Sequence, residues 1–79
     1  MDIKLIKFYP FEVSVKRPRL LAYVDLLLFD KVLIKGIKLL ENKHGGYFVQ
    51  MPEHVEIVSR DLLDSIRRVV VDYYKENLL

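Results

Sequence analysis

Hydrophobic and polar residues alternate through the first part of the chain, which is the period-two pattern of half-buried β-strands. Between positions 2 and 9, Ile3 and Leu5 fall on one face and charged residues fall on the other. This segment predicts a first strand that ends at Pro10, because proline has no N–H with which to continue a ladder of hydrogen bonds. Residues 11–19 carry no helical period and predict a long connecting loop that is basic at its far end.

The next segment, Leu20–Phe29, is apolar on both faces and is interrupted only by Tyr23 and Asp25. Such a run could be a buried helix, but the absence of a cap before it and the alternation around it favour a strand. A strand that is apolar on both sides is expected in the centre of a sheet. We expect the Asp25 carboxylate to reach a strand end, a backbone donor or a basic neighbour, because an unpaired charge is costly there.

A third strand is predicted over residues 32–41, after a two-residue hairpin turn formed by residues 29–32. The apolar residues in its first half are out of phase with those in its second half. A β-bulge at Lys35 or Gly36 would add one residue and bring both sets to the same face of the sheet.

The segment after the third strand begins with a polar loop that ends in two glycines. A fourth strand over residues 47–51 follows, and Pro52 stops it. Residues 53–58 alternate and predict a short edge strand. Ser59 is the expected N-cap of a final helix, and Asp61 in its first turn favours the helix dipole.

The final helix has apolar residues at spacings of three and four, which define one hydrophobic face. These residues are Leu62, Leu63, Ile66, Val69, Val70 and Tyr73. The order of elements predicts an α+β fold in one domain over residues 1–79: an antiparallel β-meander of four to five strands followed by one C-terminal helix.

The composition adds one expectation to this fold. The chain has 79 residues, of which 52% are hydrophobic, and this is more apolar material than one sheet and one helix of this size can bury. We therefore expect a self-associating surface and a homodimer. The absence of cysteine, of a signal peptide and of a long apolar span agrees with a cytoplasmic protein.

Basic residues are concentrated in the half of the chain that forms the sheet. The net charge is only +2, but residues 1–43 contain nine basic and five acidic side chains. A polyanion site is therefore expected on the sheet rather than on the helix. The candidate nucleic-acid-binding residues are Lys16, Arg17, Arg19, Lys35 and Lys38.

Each group of these candidates has an ordinary structural alternative. The cluster of Lys16, Arg17 and Arg19 could grip phosphates, with Phe8, Tyr9 and Phe11 nearby for stacking, or it could simply be a solvated loop. Lysines on the third strand could extend the patch, or could protect an edge strand from aggregation. Both alternatives stay open at this point.

The remaining polar residues indicate no catalytic or metal site. Arg60, Asp64, Arg68 and Asp72 recur every fourth residue and predict a ladder of ion pairs on a solvated helix face. The two histidines lack converging ligands, the serines lack an evident base, and no phosphate-binding glycine loop precedes a helix. We expect no enzyme activity, no cofactor and no membrane partner. Tyr23 and Tyr47 remain candidates for exposed stacking rings if the sheet has an open face.

The string GYFVQMP at Gly46–Pro52 resembles the most recognisable motif of the SpoVG family, the septation and sporulation protein G regulators of bacteria. The opening Asp2–Leu5 and the segments 21–28 and 32–40 are similar to its first three strands. The resemblance implies a β-meander with a C-terminal helix, a homodimer formed through the sheet, and a non-enzymatic regulator that binds DNA and also RNA.

This chain departs from the family pattern after Pro52, where the family has a longer basic loop and this chain has only residues 53–58. The long first loop and the extra glycine at Gly45 also differ. The implied nucleic-acid contacts of that basic loop have no counterpart here. The alternative is a protein-interaction or assembly module, related to cell division or sporulation, that does not bind nucleic acid directly.

Overall fold

The computed structural model describes residues 2–11 and 19–78. Its four strands form one sheet in the order β1-β2-β3-β4, with every neighbouring pair antiparallel. One helix follows, which confirms the expected α+β fold. The elements are β1 (Ile3–Pro10), β2 (Arg19–Leu28), β3 (Val32–Glu41), β4 (Tyr47–Gln50) and α1 (Arg60–Leu78).

Helix α1 covers one face of the sheet, and the hydrophobic core lies between them. We call this side the core face and the opposite side the open face. From Ala22 to Leu28, strand β2 supplies every second residue to the core, since alternate side chains of a strand point to opposite faces. Leu21, just before this run, is buried as well. The β2 residues of the core face are Ala22, Val24, Leu26 and Leu28. Helix α1 supplies Ile66, Val70, Val71 and Tyr74.

The pairing of β2 with β3 shifts twice. At the first shift Leu21 is an extra residue of β2, between Leu20, which pairs with Leu40, and Ala22, which pairs with Leu39. The second shift is the β-bulge that the phase change in the sequence predicted. Val24 pairs with Ile37 and Leu26 pairs with Ile34, so Asp25 faces two residues, Lys35 and Gly36. The extra residue brings Ile34 and Ile37 to the core face together. Gly36 has φ +81°, a backbone conformation that costs little only for glycine.

The turn between β2 and β3 lies one residue earlier than expected. Lys31 N–H donates to the Leu28 carbonyl at 2.9 Å, and both Phe29 and Asp30 have φ 56°. The expected turn would have paired Ile34 with Leu27 and so placed Ile34 on the open face, where Leu27 lies. The observed register pairs Ile34 with Leu26 instead and buries both.

The predicted edge strand at residues 53–58 is wrong. Pro52 accepts a hydrogen bond from Val55 N–H at 3.1 Å, and His54 between them has φ 69°, as the third residue of a type II turn requires. The turn directs the chain away from the sheet edge and toward α1. The alternation of apolar residues in this segment therefore does not produce a strand.

Helix α1 begins as predicted, but its buried face is rotated. Ser59 Oγ accepts the Leu62 N–H at 3.1 Å, which is the expected N-cap bond. Tyr74 is buried, whereas Tyr73 is 38% exposed and its ring lies 4.8 Å from that of Phe8 at the edge of the core. The buried row therefore follows Ile66, Val70 and Tyr74, four residues apart.

The expected ladder of ion pairs on α1 is also wrong. In residues 2–11 and 19–78, the ion pairs are Lys4–Asp30 and Arg19–Glu41, and His54 Nε2 lies 3.5 Å from the Glu53 carboxylate; none of them is on α1. A different arginine, Arg67, connects the helix to β4, because its Nε donates to the Tyr47 carbonyl at 2.8 Å. A surface ladder would have stabilised the fold by only a few tenths of a kcal/mol per link, so its absence has little effect.

Candidate nucleic-acid interface

The open face of the sheet carries the candidate site. Its members are the residues that alternate with the core positions and pair with one another across the strands. They are Lys4, Lys7, Tyr9, Leu20, Tyr23, Asp25, Leu27, Leu33, Lys35, Lys38, Leu40, Phe48 and Gln50. This surface combines aromatic rings, aliphatic side chains and lysines, with one carboxylate near its middle.

Three aromatic residues lie near one another on the open face, around the end of β1. Tyr9 is the direct partner of Tyr23 in the β1–β2 pairing. The ring of Phe11 contacts Tyr23 edge to face, with centroids 6.1 Å apart and an interplanar angle of 79°. Tyr9 is 47% exposed and Phe11 is 52% exposed, so their rings are open to a partner. Exposed rings of this kind are surfaces on which unpaired bases stack.

Lysines border this aromatic group. Lys38 is the partner of Tyr23 on β3, and Lys7 and Lys35 flank Asp25 on either side. Lys7 and Lys35 are exposed and Lys38 is half-buried. Within the described ranges, none of these three has a carboxylate within ion-pair distance, unlike Lys4, which contacts Asp30 at 2.8 Å. Their charges are available to a polyanion.

Lys7 is a member of the site that the sequence pattern placed on the wrong face. Simple alternation from Ile3 and Leu5 would put Lys7 against the core. The pairing of β1 with β2 shifts between Leu5 and Lys7, so Ile6 is an extra residue. The shift sends Lys7 and Tyr9 to the open face and Phe8 to the core face. The change of phase from Ile3 and Leu5 to Phe8 was the available signal.

The basic cluster expected around residues 16–19 is only partly described. Lys16 and Arg17 lie outside the described residues. Arg19 begins β2, and its Nε donates to the Glu41 carboxylate. The two side chains are 24% and 9% exposed. The structure places this pair near α1 and does not bring Arg19 together with Lys35 and Lys38.

Tyr47 belongs to the contact between α1 and β4 rather than to the open face. The ring centroid of Tyr47 lies 5.8 Å from that of Tyr74, and Lys75 Nζ lies 5.6 Å from the Tyr47 centroid. Burial raises the pKa of Tyr74, and the nearby Tyr47 and Glu41 raise it further, while Arg19 opposes them. Of the two tyrosines suggested for stacking, Tyr23 is the one on the open face.

Asp25 meets the expectation that it reaches a backbone donor. Asp25 follows Val24 and precedes Leu26 in β2. Because the side chains of these two neighbours are on the core face, the side chain of Asp25 points to the open face. Its Oδ1 accepts the Gly36 N–H at 3.0 Å. The bulge therefore supplies the hydrogen-bond donor that makes a buried carboxylate tolerable.

The described part of the chain offers no other site of comparable chemistry. It contains no detected pocket and no group of three or more side chains that could hold a metal ion. Its single helix is not apolar enough to cross a membrane.

Comparisons with known proteins find no match: no family model, no curated protein and no solved structure corresponds to this chain. The resemblance to the SpoVG family therefore stays a prediction based on the GYFVQMP string and the order of the elements.

Proposed function

We propose that this chain is a SpoVG-like, non-enzymatic regulatory protein that binds single-stranded DNA or RNA on the open face of its sheet. The observation that supports this most is the contact of Phe11 with Tyr23, beside Tyr9, on a surface bordered by lysines that have no carboxylate partner among residues 2–11 and 19–78. Bases stack on the rings while the lysines neutralise the phosphates of the same strand.

The shape of the surface favours a single strand over a duplex. The groove of a duplex is read by an element that protrudes into it, such as a helix or a two-stranded ribbon. Here the aromatic rings lie on the open face of a sheet, which does not protrude. The bases of a duplex are stacked on one another and cannot reach these rings. An unpaired strand can lay its bases flat against the sheet.

The proposed assembly is a cytoplasmic homodimer formed through the sheet. Leu20, Leu40 and Phe48 are successive partners across β2, β3 and β4, and they form an apolar corner beside the free edge of β4. Pairing two copies at this corner would bury apolar surface and leave the aromatic group near β1 open. Light scattering at micromolar concentration should give twice the chain mass of 9.4 kDa; a monomer mass would contradict the dimer.

The experiment for nucleic-acid binding is a fluorescence titration with an unstructured oligonucleotide and with a duplex of the same length, over a series of salt concentrations. We expect the single strand to bind more tightly than the duplex. Tyr23→Ala should weaken binding by about 1 to 3 kcal/mol for the lost stacking. The Lys35→Ala/Lys38→Ala variant should lower the salt slope by about one unit per lost phosphate contact.

Lys4→Ala is the matched control, because Lys4 lies on the same face but is paired with Asp30. It should change the salt slope less than either open-face lysine does. Absence of binding to every DNA and RNA probe at low salt would rule the proposal out.

A second candidate is a protein-interaction module related to cell division or sporulation. It is favoured by the exposed apolar side chains Phe29, Val32 and Leu33 at the tip of the β2–β3 hairpin. Co-purification of a protein partner that survives nuclease treatment and is lost in Leu33→Asp would support this candidate. Retention of the partner by Leu33→Asp would contradict the role of this hairpin tip.

A further inference from the structure

Asp25 presents one fixed hydrogen-bond acceptor to the open face. Its Oδ1 is held by the Gly36 N–H. In the described ranges every fully buried side-chain oxygen has a hydrogen-bond partner, and the Gly36 N–H is the only partner of Asp25 there. Oδ2 therefore reaches solvent. Because the side chain is otherwise buried and fastened to the bulge, this oxygen is held in one place.

The position of this acceptor lies beside the proposed stacking group. Asp25 is two residues from Tyr23 on the same strand and the same face, and it is bordered by Lys7 and Lys35. A base that stacks on Tyr23 has its edge near the Asp25 carboxylate, while the neighbouring lysines offset the repulsion between that carboxylate and the phosphates.

The bulge does not require a charge at this position. An asparagine side chain also carries an oxygen that can accept the Gly36 N–H. A carboxylate differs because its second oxygen is also an acceptor, whereas the second polar atom of asparagine is a donor. The chemistry of position 25 therefore determines what kind of group the open face can bind beside Tyr23.

We propose that Asp25 is a specificity-determining residue that accepts a hydrogen bond from the exocyclic amino group of a stacked base. This inference rests on the proposed binding of single strands. It predicts that the face prefers cytosine, which has an amino group at its C4 position, over thymine and uracil, which have a carbonyl oxygen there. The two kinds of pyrimidine stack with rings of the same size, so the amino group is the difference that Asp25 detects.

The test compares the affinities of the full chain for unstructured cytosine-only and thymine-only oligonucleotides of equal length, by fluorescence titration at fixed low salt. One hydrogen bond to a charged acceptor should make the cytosine strand bind roughly tenfold more tightly. Asp25→Asn should reverse the preference. Its oxygen stays on the Gly36 N–H, and its amide then donates to the thymine carbonyl.

Lys38→Ala is the matched control, because it should weaken binding of both oligonucleotides by the same factor and leave the preference unchanged. A purely structural role for Asp25 predicts that Asp25→Asn leaves the preference of the parent chain unchanged, and this result would overturn the inference. Equal affinity of the parent chain for the two strands would also overturn it and would need no variant. Binding without preference leaves the proposed function in place, whereas absence of any binding removes both proposals.

Discussion

The two faces of strand β2 differ in what their residues do, although they come from one continuous stretch of chain. On the core face, Val24 and Leu26 are completely buried under α1. On the open face, Tyr23 and Leu27 are only half-buried, and Asp25 between them is a charged group fastened to the bulge. The core face is thus organised by close packing and the open face by a few directed contacts.

This difference separates the residues that hold the fold from those that can bind a partner. A side chain between sheet and helix cannot change without leaving a cavity, since protein interiors are close-packed. A side chain on the open face can change with little loss of stability and a large change in what the surface binds. Substitutions of neighbouring residues on the two faces should therefore have opposite effects on stability and on binding.

The largest effect is expected from Leu26→Ala on the core face. The variant should lose about 2 to 5 kcal/mol of unfolding free energy, measured by urea denaturation, because the site is fully buried and a cavity remains. Leu27→Ala, the next residue on the open face, is the control and should lose about 1 kcal/mol or less. Equal losses would mean that the open face is covered by another part of the chain or by a second copy.

Gly36→Ala tests the bulge that joins the two faces. The loss should be about 1 to 2 kcal/mol, because an alanine is strained at φ +81° while its methyl group meets no atom within 4 Å. Gly45→Ala is a close match, since Gly45 has φ +85° and equally open surroundings in a loop. A much larger loss at position 36 would show that the bulge has little freedom to adjust, and urea denaturation of both variants measures the difference.

Ser59→Ala removes the N-cap of α1, the helix that covers the core face. We expect a loss of about 1 kcal/mol, because the Leu62 N–H loses its acceptor at the N-cap. The control is Ser65→Ala within the same helix, which removes the same hydroxyl from a position where alanine favours the helix and should not destabilise. If Ser59→Ala also abolished binding to nucleic acid, the open face would depend on α1 more than the contacts indicate.

The smallest effect concerns alkaline pH and the core end near Tyr74. Burial holds the pKa of this hydroxyl above the ordinary value of about 10. The neutral form therefore stabilises the fold fully below that ordinary value, and the contribution is lost as pH rises from there through the pKa of the folded state. Between pH 9 and pH 11, Tyr74→Phe should therefore lose less stability than the parent chain. The measurement is the urea concentration at the denaturation midpoint, and the expected difference between the two proteins is small. An identical pH profile in the two proteins would contradict the shift.

Many residues of the candidate site could be predicted from the sequence, but the sequence did not show which of them lie together on one face of the sheet. Lys35 and Lys38 were expected on the third strand, and aromatic residues were expected near the end of the first. Their assembly on one face required the pairing of Tyr9 with Tyr23 and of Tyr23 with Lys38, between residues that are far apart in the chain. Arg19 shows the opposite outcome, because its partner Glu41 lies 22 positions away and no local pattern indicates that pair.

The sequence by itself determined the features that depend on neighbouring residues. The order of the elements, the cap at Ser59 and the bulge at Gly36 follow from local chemistry and from the spacing of apolar residues, and the structure has all three. Tertiary structure alone decided the shift at Ile6, the turn at Leu28–Lys31 and the rotation of α1 that buries Tyr74. Each of these is set by the best burial available among elements distant in sequence, and one residue of shift moves a side chain from one face of the sheet to the other.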